Sequence, residues 1–300
     1  MRFTLRQLEV FLAVARSESV SRAAVELGMS QSAVSGALSD LEQQFNIQLF
    51  DRIGKRLQLS QLGHSLRPRC DALHEQALEL ERALASGSDV GVLRVGATLT
   101  IGNYVAGPLM ARFMREHPGA RVTLEVANMA EIARKVANFE IDVGLIEGEL
   151  HDPDLDVSVW CEDELAVFCA PSHELARRAA LADEDLREAV WIVRERGSGT
   201  RQAFERAMHG ILAELEIGFE LQHIEAIKSA VEAGLGVGCV SRIALEDSFR
   251  HGTLVGCAVP GRDFRRQFCF VLHKQKHRSV AIQTWLELCA AWPGGVSPEV

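Results

Sequence analysis

Apolar residues at Leu5, Leu8, Phe11, Leu12 and Ala15 recur at helical spacing and predict a helix at the start of the chain. Ser17-Glu18-Ser19 interrupts that spacing, and Ser19 or Ser21 offers a hydroxyl to cap a second helix. The second helix is expected to bury Ala23, Ala24 and Leu27 and to stop at Gly28, a residue free to take the left-handed conformation. Ser30 then caps a third helix with Val34, Ala37, Leu38, Leu41 and Phe45 on its inner side. Two short helices separated by Gly28-Met29-Ser30 have the spacing of a helix-turn-helix, and the alanines allow the helices to cross closely.

The outer face of the third helix carries Gln31, Ser32, Ser35, Gly36 and Ser39. A solvated helix face ordinarily holds Lys and Glu, so a face of small uncharged residues with one amide suits close approach to a major groove. Arg22 on the second helix joins this candidate DNA-contacting set. Residues 48–60 alternate like a hairpin that turns at Gly54, with Arg52, Lys55 and Arg56 at its tip. Alone, such a tip reads as a solvated basic turn; beside a helix-turn-helix it reads as a wing that reaches phosphates or a minor groove. Leu66, Cys70, Leu73, Ala77, Leu80 and Leu84 then step by four and three, the seam of a dimerising coiled coil, until Ser86-Gly87-Ser88 stops the helix. Packing of that seam against the protein's own domains is the other reading.

Beyond Gly91 the pattern changes to strands alternating with helices. Strand-like runs cover Val92–Ala97, Arg121–Val126, Ile141–Ile146, Leu165–Ala170, Val190–Val193, Val237–Val240 and Phe268–Leu272. Helical patterns between them include Asn103–Glu116, Ile132–Asn138, Arg201–Glu214 and Ala226–Ala233. That alternation implies an α/β domain with a largely parallel sheet, or two such sheets.

Composition narrows the class. At 300 residues the chain is long for a single core. No apolar run approaches the roughly 20 residues that span a bilayer, and the start of the chain lacks the apolar core of a signal peptide, so a cytoplasmic protein with no membrane partner is expected. The net charge of -9 is uneven: residues 1–63 hold seven basic and six acidic side chains, and the acidic excess lies in the remainder. Seven scattered cysteines without a CxxC pair argue against a disulfide framework, and neither a metal site nor a cofactor is expected. An enzyme is the main rival, yet no Walker loop, HExxH or GxSxG is present and no catalytic residue is assigned. Gly234-Leu235-Gly236-Val237-Gly238 leads from a helix into a strand, the reverse of a dinucleotide loop. His209, His223, His251, His273 and His277 lack metal spacing.

Residues 5–63, through Ser30-Gln31-Ser32-Ala33-Val34-Ser35, Leu41-Glu42 and Leu49-Phe50-Asp51-Arg52, closely resemble the LysR-type regulators. Three further stretches, Gly96–Tyr104, Arg194–Arg201 and Glu225-Ala226-Ile227-Lys228, resemble the branch that holds CysB-, CbbR- and YeiE-like members. The resemblance implies a winged helix-turn-helix over residues 1–63, a dimerising linker helix over 64–89 and a periplasmic-binding-protein-like sensor over 90–300. Its two subdomains would be 90–162 with 266–300, and 163–265. It further implies binding of double-stranded promoter DNA at an inverted repeat, a homodimer or homotetramer, contact with RNA polymerase as a further partner, and a small effector. Gly36 departs from the family, which often places a DNA-touching Arg there, and Arg196 stands where the branch often has Pro.

In open α/β sheets ligands bind where strand carboxyl ends meet helix N-termini. Thr98, Thr100 and Ile101 follow the first sensor strand, and Ser198, Thr200 and Arg201 follow the strand Val190–Val193. Singly, such hydroxyls are helix caps; as a facing pair at the family's ligand positions they make an effector site suited to a small anion or carboxylate. Glu147 ends a third strand toward the same cleft. It would repel an anion unless protonated, met by a donor on the effector, or paired with Arg194 or Arg201.

Overall fold

The computed structural model describes residues 2–53, 56–86 and 91–292. Gly54 and Lys55, at the expected tip of the hairpin, lie outside the described residues, as do the side chains of Arg52 and Arg56 and the glycine and serine that follow the linker helix.

Helix α1 (Leu5–Ser17) starts at Thr4, whose hydroxyl accepts from the Gln7 backbone at 3.1 Å while the Gln7 side chain accepts from the Thr4 backbone at 3.0 Å. Ser19 caps α2 (Val20–Glu26), and Ser30 caps α3 (Gln31–Phe45) by accepting from the Ala33 backbone at 3.1 Å. Gly28 sits at φ +63°, where any side chain would be strained. Phe11, Ala23, Ala24, Val34, Leu38 and Leu41 share one small core. Two residues expected inside it are exposed, Leu5 and Phe45, because each lies at a helix end beyond the helix crossing. Phe45 instead packs near Phe3 with the Arg2 guanidinium over its ring.

Strands β1 (Phe50–Ile53) and β2 (Arg56–Leu59) form the expected hairpin, with Phe50 opposite Leu59. The Glu42 carboxylate ties it to α3 by accepting from the Leu49 backbone at 2.6 Å and the Phe50 backbone at 3.3 Å. Helix α4 (Gln61–Ser86) follows. Its expected seam divides: Leu66 and Cys70 pack on the N-terminal core, whereas Leu73, Leu80 and Leu84 are exposed. A different stripe, Arg67, Asp71, Glu75 and Glu79 at every fourth position, meets the sensor.

The sensor runs β3 (Val92–Ala97), a π-helical turn (Ile101–Val105), α5 (Ala106–Glu116), β4 (Arg121–Val126), α6 (Met129–Ala137), β5 (Val143–Glu147) and β6 (Leu155–Cys169). It continues through α7 (Asp183–Glu188), β7 (Val190–Arg194), α8 (Gly199–Ala207), β8 (Glu216–Leu221), α9 (Ile224–Glu232) and β9 (Val237–Ser241). The last elements are α10 (Glu246–His251), β10 (Val255–Cys257), β11 (Arg265–His273) and α11 (Val280–Ala290).

Strands β3 to β11 form one nine-stranded sheet, ordered β4-β3-β5-β11-β6-β9-β7-β8 with β10 also on β6. The sheet is mixed rather than largely parallel: β3 pairs in parallel with β4 and β5, and β7 with β8 and β9, but β6 and β11 make only antiparallel pairs. Long β6 explains this. Its first part pairs with β11 from Leu155 to Glu164, and its last part pairs with β9 and β10 from Leu165 to Cys169, so one strand joins two lobes. The first lobe packs around Trp285, Phe113 and Phe268, and the second around Trp191, Phe204 and Leu186. The first part of β6 and the edge strand β8 escaped the sequence pattern because both carry many exposed positions and little apolar alternation.

Between α4 and the first lobe lies a buried charge cluster. The Lys276 ammonium reaches Asp71 at 2.8 Å, Asp142 at 3.1 Å and Glu75 at 3.8 Å. Arg94 reaches Asp142 at 2.7 Å and Glu75 at 3.7 Å. Farther along, His277 meets Glu79 at 3.1 Å, and the Val280 backbone donates to the same carboxylate.

Candidate functional site

Helix α3 presents Gln31, Ser32, Ser35 and Gly36 to solvent, with Ser39 half-buried beside them. A Cβ built on Gly36 meets nothing within 4 Å, so internal packing does not require glycine there. The face is low and uncharged, which fits a surface that a duplex could approach closely. Arg22 is exposed, and its guanidinium donates to the Ser17 carbonyl, on a wall that faces the sensor rather than on the α3 face.

The second candidate site lies where the lobes meet. Thr98 and Thr100 follow β3, Glu147 ends β5, and Ser198 and Thr200 open α8; all five are buried. The Thr98 hydroxyl donates to the Glu147 carboxylate, and the Thr100 backbone donates to the same carboxylate at 3.3 Å. In return the Glu147 backbone donates to Thr98 Oγ1 at 3.2 Å. Glu147 is thus met by hydroxyl and backbone donors of its own lobe.

Neither arginine expected beside Glu147 serves it. Arg194 forks onto the neighbouring Glu195 at 2.8 and 2.9 Å. Arg201 pairs with Glu205 one helical turn on, at 2.6 Å, and donates to the Arg194 carbonyl at 3.2 Å. Local acids at adjacent and i+4 positions capture both guanidinium groups first. Ser198 acts as the cap of α8, accepting from the Arg201 backbone at 3.0 Å. Ile101 is fully buried among the side chains of the first lobe.

The cation at the centre is one that sequence reasoning missed. Arg266, at the start of β11, donates through Nη1 to Thr200 Oγ1 at 2.9 Å and through Nη2 to Thr100 Oγ1 at 3.2 Å. Its Nε donates to Asp163 at 2.6 Å, and Ser241 donates to the other oxygen of Asp163 at 2.7 Å. Arg266 and Asp163 are direct partners in the β11–β6 register and are almost wholly buried. Burial raises the Asp163 carboxyl above its ordinary value and Glu147 adds to the rise, while Arg266 and the Ser241 hydroxyl oppose it. Nothing in the local pattern of Arg265-Arg266 or Glu162-Asp163-Glu164 marks this pair; only strand register brings it together.

Two contacts close the lobes on each other. A Cβ on Gly199 would lie 1.8 Å from the Glu147 carbonyl oxygen, so only glycine permits the approach of α8 to β5. Tyr104 donates its hydroxyl to Glu225 of α9, and Lys228 holds the same carboxylate at 3.0 Å. Two cavities open between the lobes. One of about 420 Å³ is lined by Arg206, Arg265 and Arg266 together with Glu149, Glu162 and Asp263. The other, of about 360 Å³, is lined by Leu99, Asn103, Asn128, Glu195, Gln222 and His223. Among the described residues no group of His, Cys, Asp and Glu is arranged to hold a metal, and no helix is long and apolar enough to cross a membrane.

Residues 5–64 match the family model of the bacterial regulatory helix-turn-helix protein, lysR family, and residues 86–293 match that of the LysR substrate binding domain. The chain is 44% identical to the uncharacterized HTH-type transcriptional regulator YeiE of Escherichia coli K12, over 96% of this chain and 98% of that one. Its fold is similar to that of a full-length OxyR from Pseudomonas aeruginosa, with a TM-score of 0.75 at 20% identity, over 98% of this chain and 96% of the other. It is also similar to the regulatory domain of CcmR from Synechocystis PCC6803 in complex with 2-PG. There the TM-score is 0.62 at 27% identity, over 67% of this chain and 96% of that domain.

Proposed function

The chain belongs to the LysR family of DNA-binding transcriptional regulators with an effector-binding domain, and on that premise we propose that its promoter binding is set by a small anion or carboxylate held between the two sensor lobes. The observation that carries this reading is the Arg266 guanidinium, which is buried and reaches Thr200 on one lobe and Thr100 on the other. Two hydroxyls and a forked cation make a donor set for a carboxylate or an oxyanion of sulfur or carbon metabolism. The 420 Å³ cavity, whose wall includes Arg266, is the route by which such a ligand reaches it. Asp163 neutralises part of the cation and Glu147 lies close by, which favours a small ligand of low charge, or one with a donor of its own, over a multiply charged anion.

The residues 1–63 read the duplex, with α3 in the major groove and the wing on the backbone. Gln31 reads base edges, Ser32, Ser35, Gly36 and Ser39 permit close approach, and Arg52, Lys55 and Arg56 contact phosphates, whereas Arg22 faces the sensor. Dimers, paired into tetramers, bind an inverted repeat in the cytoplasm, and RNA polymerase is met there. The effector acts by differential affinity for two lobe arrangements, which changes the spacing of the DNA-binding pairs.

Thermal shift of the full chain against sulfite, sulfate, thiosulfate, phosphate and small carboxylic acids tests the effector assignment. A saturable rise in Tm with one class, lost in Thr100→Ala and in Thr200→Val, is the expected outcome. A rise that survives both substitutions removes the ligand from the lobe junction, and no rise with any anion rejects the ligand class.

A further inference from the structure

Where the DNA-binding domain faces the sensor there is a polar cavity of about 530 Å³, remote from the effector cluster. Its walls come from α1, α2, β2 and α4 on one side and from α6 and the residues after it on the other. Five basic side chains line it: Arg16, Arg22, His64, Arg67 and Arg134. Two carboxylates, Glu18 and Glu140, line it as well, so the basic groups outnumber the acids. We propose that this cavity is a second ligand site, specific for a small phosphorylated compound, that bridges the DNA-binding domain and the sensor.

Arg67 points to a ligand most directly. It is 5% exposed, its Nη2 donates to the Asn138 carbonyl, and its Nη1 lies 3.5 Å from the Asn138 side chain. Its Nε is buried and has no hydrogen-bond partner among the described residues. Among the described residues no carboxylate pairs with this guanidinium, which lies over the Phe139 ring at 5.5 Å. Desolvation pulls it down to about 10, with Asp71 opposing that fall and Arg16 adding to it. A buried cation with an idle donor costs folding free energy unless something of opposite charge completes it. The other basic groups divide in the same way. Among the described residues Arg22 bonds a backbone carbonyl and no carboxylate, whereas Arg16 pairs with Glu26 at 2.6 Å and Arg134 with Glu131 and Glu140 at 2.8 and 2.7 Å.

Phosphate fits this arrangement better than a single carboxylate, since three terminal oxygens can meet guanidinium groups that approach from two domains. The volume falls in the ordinary range for small-metabolite sites, roughly 300–1,000 Å³, so the phosphate would carry an organic remainder. A ligand here would hold α1 and α2 against α6, and so would set the pose of the DNA-binding domain independently of lobe closure.

The test is calorimetric titration of the full chain at fixed ionic strength with inorganic phosphate and with glycerol 3-phosphate. Expected is saturable binding of the ester, weakened at least tenfold by Arg67→Gln and by Arg134→Gln, and unchanged by Arg250→Gln, an exposed arginine on distant α10. Arg134 is half exposed and its substitution leaves the core intact, so it decides the matter should Arg67→Gln fail to fold. Binding that persists in Arg134→Gln but disappears in Thr100→Val belongs to the lobe junction and overturns the proposal. Equal loss in Arg250→Gln, or no saturable binding of either probe, overturns it as well.

Discussion

At the scale of single residues, two substitutions separate roles that look alike on paper. Gln31 is the one α3 side chain in its exposed set with an amide, whose separate donor and acceptor atoms can meet a base edge together. Gln31→Ala should cost about 1–3 kcal/mol on the specific site and little on random DNA, read by competition binding at fixed salt. Equal losses on both would reduce the residue to a backbone contact. Gly199 is different, since its role is spatial. Gly199→Ala puts a methyl group 1.8 Å from a main-chain oxygen that belongs to the facing strand, so the lobes must part or strain. The expected loss is about 1–3 kcal/mol in urea unfolding, with effector affinity falling alongside. The neighbouring hydroxyls were legible as a group from their place between strand and helix, and they do gather around Arg266 and Glu147. Arg266 was not, because its chemistry depends on Asp163 across a strand register that no local pattern encodes.

At the scale of elements, α4 does two things with different faces. One stripe of acids docks on the sensor through Lys276 and Arg94. Burial disfavours the charge on Asp142 beneath that joint, but Lys276 and Arg94 outweigh it and hold the carboxyl below its ordinary value. A lowered folded-state value contributes stability that is present above the unfolded value, about 3.9, and is lost as pH falls through the folded one. The Tm advantage of the native chain over Asp142→Asn should therefore be full at pH 7 and should shrink as pH drops below about 4. An advantage that stays constant across that window would mean that Asp142 contributes by packing and not by charge. Lys276 faces Asp71, Glu75 and Asp142 together, so the joint responds as a unit rather than as separate pairs.

At the scale of the whole molecule, the exposed leucines of α4 set the next question. Leu80 is 62% exposed and Leu84 is 80% exposed, on a helix whose other side is already occupied by the sensor. Apolar residues at seam spacing left open on a long helix suit the same helix of a second copy. The double substitution of Leu80→Glu and Leu84→Glu should shift the protein from dimer toward monomer in sedimentation equilibrium and weaken binding to a two-half-site operator far more than to a single half-site. An unchanged mass would mean that these leucines do not hold two copies together. Within one chain, β6 runs from one lobe into the other and pairs with β11 along its first part. Arg266 stands at the lobe junction at one end of β11, and His273 and Lys276 lie at the linker joint at the other.

Local physics was enough for several features. Capping hydroxyls, a glycine at positive φ and apolar steps of three and four marked α1 to α4, and alternation and short apolar runs marked the hairpin and most sensor strands, because each depends on neighbours within a few residues. Three things depended on the tertiary structure. The seam of α4 divides between the protein's own core and solvent, since near α1 the seam face meets a domain, whereas farther along a different face docks on the sensor and leaves the seam open. The sheet is mixed, since β6 crosses from one lobe to the other. The charged partners also changed: Arg194 and Arg201 were taken by near acids, while Arg266 and Asp163, far apart in the chain, were paired by register. Periodicity and capping act over one or two turns and can be read along the chain, whereas a buried charge finds whichever partner the packed strands set opposite it.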